Sequence, residues 1–113
     1  MSAKLARLEK LAGKKKTAPI IRTLKSKDPE VRLDALHALG VCGTEDAINY
    51  LTNWSNSEDP KERIAAIKAL ALCGKEYSVT QMRYQLTSEK DPEVIAALKE
   101  SLSIIHGKLK EKE

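Results

Sequence analysis

Asp28-Pro29-Glu30-Val31-Arg32-Leu33-Asp34-Ala35-Leu36-His37-Ala38-Leu39-Gly40-Val41-Cys42-Gly43 is the stretch that decides the fold. Aspartate before proline marks a helix start. The carboxylate can accept from free backbone N–H groups, and proline fits the first helical position, where no N–H is needed. Glu30 in the first turn suits the positive end of the helix dipole. Val31, Ala35, Ala38, Leu39 and Cys42 then recur at i, i+4, i+7, i+8 and i+11, which is one face of a helix. Gly43 stops it, as glycine does where the backbone turns left-handed.

The pattern returns twice. Asp59-Pro60-Lys61-Glu62-Arg63 follows 31 residues later and Asp91-Pro92-Glu93-Val94-Ile95 another 32 residues on. Ala66, Ala69, Leu70, Cys73 and Gly74 repeat the offsets of the first copy, and Leu98, Ser101, Leu102, Ile105 and His106 occupy them in the third. Such self-similarity is the signature of a repeat architecture. Shorter amphipathic segments lie between. Thr17 is expected to cap one that carries Ile20, Ile21 and Leu24; Thr44 one that carries Ala47, Ile48, Leu51 and Trp54. A third, after Gly74, carries Val79, Met82 and Leu86. Strands are not expected, because Phe is absent, Trp54 is the sole tryptophan, and the composition favours Leu and Ala.

These residues resemble the short HEAT-like repeats of the phycobilin-lyase type, through Asp-Pro-Glu-Val-Arg, then small residues, Leu-Gly and a final Gly, over roughly residues 15–107. The resemblance implies an all-α, right-handed alpha-alpha superhelix of about seven helices, armadillo-like in character, filling one domain over residues 1–113. Its parts would be a capping helix at 2–14, repeats at 15–43, 44–74 and 75–107, and a polar tail at 108–113. It also implies that Arg32 and Arg63 form a structural ladder with acidic groups or helix ends of neighbouring repeats. A chromophore lyase or its chaperone would rest on the resemblance alone.

Net charge is +4, unevenly spread. Residues 1–27 hold nine basic side chains against Glu9 alone, a net of +8, and the remaining 11 basic and 15 acidic groups give −4. No apolar run approaches the ~20 residues needed to span a bilayer, and residues 1–16 lack the apolar core of a secretion signal. The expected location is cytoplasmic, without membrane contact. Cys42 and Cys73 are too few for a disulfide framework and are expected as reduced, buried thiols. Uniting them with His37 and His106 would draw four ligands from three helices on different faces, so no metal and no cofactor is expected. There is no phosphate loop, metalloprotease histidine pair or serine elbow, and the chain reads as non-enzymatic.

Two surface features remain. The inner helices, which line the concave face in proteins of this resemblance, carry Leu33 and Val41, Ile64 and Leu72, Ala96 and Ile104. Each pair is eight residues apart, two turns on one face, with His37, Lys68 and Glu100 between. These apolar rails around a polar track are the expected partner-binding residues of a scaffold that grips a peptide or helix, with weak self-association as a further outcome. The competing expectation is that the rails are partly buried at repeat flanks. The second feature is Lys14, Lys15, Lys16, Arg22 and Lys25, an anion-binding candidate that makes a nucleic-acid-binding module the alternative function. No stacking aromatics interleave with these lysines as single-strand binders require.

Overall fold

The computed structural model describes residues 3–111. Among them are seven helices: α1 (Ala3–Gly13), α2 (Thr17–Thr23), α3 (Pro29–Cys42), α4 (Glu45–Trp54), α5 (Pro60–Cys73), α6 (Glu76–Ser88) and α7 (Pro92–Glu111). The three Asp-Pro starts act alike. Asp28, Asp59 and Asp91 each accept, through Oδ1, the N–H two residues ahead, at 3.0, 2.9 and 2.9 Å. A side chain two residues before each aspartate fixes the turn in its place: Ser26, Ser57 and Glu89 accept the aspartate's own N–H, each at 3.2 Å. A cap of this kind contributes about 1 kcal/mol. Gly43 and Gly74 end α3 and α5 in the left-handed conformation, at φ 65° and 66°. Lys15 ends α1 in the same way at φ 55°.

α1, α3, α5 and α7 stand side by side, each packed most extensively on its neighbours in that row. α2, α4 and α6 form a second layer on them and touch one another far less. One continuous core runs through the junctions and includes Leu36, Leu39, Ile48, Leu51, Ile67, Leu70, Met82 and Leu98. Ala35, Ala38, Ala66 and Ala69 are all buried in it, as the helical face read from the sequence requires. The molecule is thus an all-α fold with the pairwise packing of a helical repeat.

The shared left-handed stop aligns α1 with α3 and α5. Leu8 then matches Leu36 and Ile67, and Ala12 matches Gly40 and Ala71, all of them buried. At the positions where α3 has Ala35, Ala38 and Cys42, α1 and the residue after it carry Arg7, Lys10 and Lys14. Those three basic side chains are exposed. Basic side chains thus stand in and just after α1 at positions that are small and buried in α3. At the other end, Lys99 and Ser103 of α7 are exposed at the positions of Ile67 and Ala71.

Two expectations need correction. Thr17 does not cap α2; it lies inside the helix, and its hydroxyl is 2.7 Å from that of Thr44 and 3.2 Å from Cys42 Sγ. Thr44 is itself the cap of α4, accepting from Ala47 N–H at 3.2 Å, so Thr17 is drawn into a link between repeats. Residues 108–111, expected as tail, belong to α7. Lys108 Nζ donates to Ala71 O and Leu72 O at 3.0 Å each, covering free carbonyls at the end of α5, and Leu109 packs against the core. Ser2 and residues 112–113 of the expected cap and tail lie outside the described residues.

Candidate functional site

Among the candidate partner-binding residues, three aliphatic side chains share one register position in successive helices. Val41 of α3, Leu72 of α5 and Ile104 of α7 each stand 13 residues after their Asp, and they are 52, 45 and 42% exposed. One turn earlier His37, Lys68 and Glu100 are exposed as well. Neighbouring helices pack about 8–10 Å apart, so this is a row of aliphatic contacts beside a row of mixed charge. One turn earlier again the row sinks. Leu33 and Ile64 are half-buried and pack against the core, while Ala96 is exposed. The rails are accordingly open in their C-terminal half, while in their N-terminal half Leu33 and Ile64 are structural. Sequence spacing alone could not separate the halves, because both follow the same helical period.

The two repeat arginines are engaged between repeats. Arg32 Nε donates to Glu62 Oε2 at 3.1 Å and its Nη1 to Ser26 O at 2.8 Å. Glu62 also accepts the Ser57 hydroxyl at 3.0 Å. Arg63 Nη1 donates to Ser57 O at 2.8 Å, and Nη2 to Glu89 Oε2 at 3.3 Å. Its Nε lies 3.2 Å from Glu89 Oε1, close in charge but out of line for a hydrogen bond. Each arginine thus ties its own turn to the next repeat. Ile95, at the same position in α7, carries no charge to do so.

Lys14, Lys15, Lys16, Arg22 and Lys25 are all exposed. Lys15 Nζ reaches the end of α3 and donates to Cys42 O at 3.3 Å, so part of the basic run serves as a helix terminus. Features absent from the sequence reading lie on the second layer. Gln85 Nε2 donates to Ser55 O at 2.8 Å, joining α6 to the end of α4. Tyr50, Tyr77 and Tyr84 are 43, 59 and 75% exposed there.

The two thiols are free, and they differ. Cys42 is fully buried beside Thr17, whereas Cys73 is half-buried, its Sγ 3.5 Å from Gly40 O. The expectation that both are buried is corrected for Cys73, which lies where α5 ends. Burial pushes its pKa up, and the Lys108 ammonium opposes that only in part. In the native protein a maleimide at neutral pH should therefore label Cys73 slowly, faster as pH rises, and Cys42 only after denaturant is added. Equal native rates for the two would contradict this packing.

Among the described residues no three His, Cys, Asp or Glu side chains gather where they could hold a metal ion. None of the described helices is long and apolar enough to cross a membrane. No protein-family model matches the chain, and comparison with curated proteins brings up no relative.

Proposed function

We propose that the chain is a non-catalytic interaction module of the HEAT-like, right-handed superhelical kind, acting as a scaffold that holds a peptide or helix of another protein against α3, α5 and α7. The observation that supports this reading is the row of Val41, Leu72 and Ile104, three exposed aliphatic side chains at one register position. Large aliphatics repeated at an exposed position are a cost in solubility unless something covers them. A face of three helices offers an interface toward the small end of the specific range, so affinity is modest. Cytoplasmic location belongs to the same proposal.

The test uses Leu72→Lys with Ile104→Lys. Ile64 is left alone, since a charge there would disturb the half-buried part of the row. Both changed side chains are exposed, so the melting temperature should hold to within about 0.5 kcal/mol of stability. Proteins retained by the parent from source cells at high salt, then purified and shown to bind it directly, should lose affinity for the double variant. Unchanged affinity would sink the reading. If the basic end carries the function as a nucleic-acid site, retention instead falls steeply with salt and disappears when Lys14, Lys15 and Lys16 are replaced by glutamate.

A further inference from the structure

A cleft of about 210 Å³ opens between α1 and α3, lined by Lys4, Arg7, Leu8, Leu11, Thr23, Ser26 and Val31. Its position in the repeat explains it. Lys4 of α1 aligns with Arg32 of α3 and Arg63 of α5, the cations of the two ladder rungs. In the α3/α5 junction the anion is Glu62, three residues after Asp59, with Ser57 as its neighbour. In the α5/α7 junction the three-after position is Val94, and the anion is Glu89, two residues before Asp91. Each inner junction therefore places one carboxylate at one of two equivalent positions. In the α1/α3 junction those positions are Val31 and Ser26, and both line the cleft together with Lys4. Neither is acidic. Lys4 and Arg7 have no ionic partner among the described residues.

We propose that this cleft takes the carboxylate side chain of an acidic peptide segment with aliphatic neighbours, which supplies from outside the anion missing from this rung. The carboxylate meets Lys4 and Arg7, replacing water with charge-assisted hydrogen bonds. The flanking aliphatic groups cover Leu8, Leu11 and Val31 on the cleft wall. This site lies on the α1 side of the stack and is independent of the α3–α5–α7 row. The two inner junctions are its precedent, since the cation at the same register position there already pairs with a carboxylate within the chain.

The probe is the blocked tripeptide acetyl-Leu-Glu-Leu-amide, compared with its Gln counterpart by titration into the 15N-labelled full chain. The Glu peptide should shift the amide resonances of Leu8, Leu11 and Val31, and the Gln peptide should bind at least about tenfold more weakly. Added salt should weaken the first far more than the second. Ser26→Glu is the decisive variant. It copies Glu89, which keeps the bond to the aspartate N–H and reaches the cation as well. With the rung filled internally, the Glu peptide should lose about tenfold in affinity while the helical spectrum is retained. Lys4→Met, an exposed change, should give the same loss and serves if the first variant fails to fold. Equal binding of the two peptides would overturn the proposal, as would full affinity in either variant. So would an oligonucleotide that shifts these resonances where the Glu peptide shifts none.

Discussion

Gly40→Val lowers the stability of the folded chain by about 1–3 kcal/mol or more, the usual cost of forcing atoms into a packed core. Gly40 is buried where α3 crosses α5. A Cβ there would stand 2.8 Å from both Cα and Cβ of Ala69 and 2.9 Å from its carbonyl oxygen. Two of those three atoms are backbone, so no side-chain rotation relieves the clash and the helices must separate. The α5/α7 junction provides an internal comparison. Ala71 holds the equivalent position at 3% exposure, which shows that a methyl is accommodated at the next junction. Urea denaturation should therefore give Gly40→Val a clearly lower midpoint, with Gly40→Ala between it and the parent. Parent-like midpoints for both would mean that α3 and α5 are wider apart than described.

The sequence foretold the starts and stops of α3 and α5 because those depend on single residues with local physics. Asp-Pro sets the cap within two residues, and Gly43 and Gly74 supply a conformation few other residues adopt freely. The buried face followed from helical period. What escaped depends on which helix stands opposite. Thr17 has the chemistry of a cap, yet its hydroxyl is committed to Thr44, 27 residues away. Cys42 and Cys73 occupy matching positions, yet one is sealed and the other half open, because their surroundings come from different neighbours. Val41 and Leu33 share a helical face, and only the packing of adjacent helices decides that one is exposed and the other is not. One anion of the ladder, Glu89, was visible in principle. Ser26, Ser57 and Glu89 stand at one offset before the repeated aspartate, and the change from serine to glutamate in the third copy was the signal.

Ile67→Ala is the deletion expected to cost most, about 2–5 kcal/mol for a fully buried isoleucine, against a total of roughly 5–15 kcal/mol for a domain. Ile67 is 0% exposed in the middle of the row, and Leu36 at the same register position of α3 is likewise 0% exposed. Each fills the junction with the following helix, so truncation leaves a cavity between two repeats that a rigid stack cannot readily close. The third copy supplies the control. Lys99 holds this position in α7 and is exposed, so Lys99→Ala should change stability by no more than about 0.5 kcal/mol. One register position thus carries a large effect inside the stack and almost none on its last helix. Repeat arrays owe much of their stability to contacts between nearest neighbours, and a short array that still unfolds as one unit should show a lower urea midpoint with its slope unchanged. A shallower slope for Ile67→Ala would indicate that the two halves come apart separately once this junction is weakened. Equal effects of Ile67→Ala and Lys99→Ala would contradict the alignment of the repeats from which both values follow.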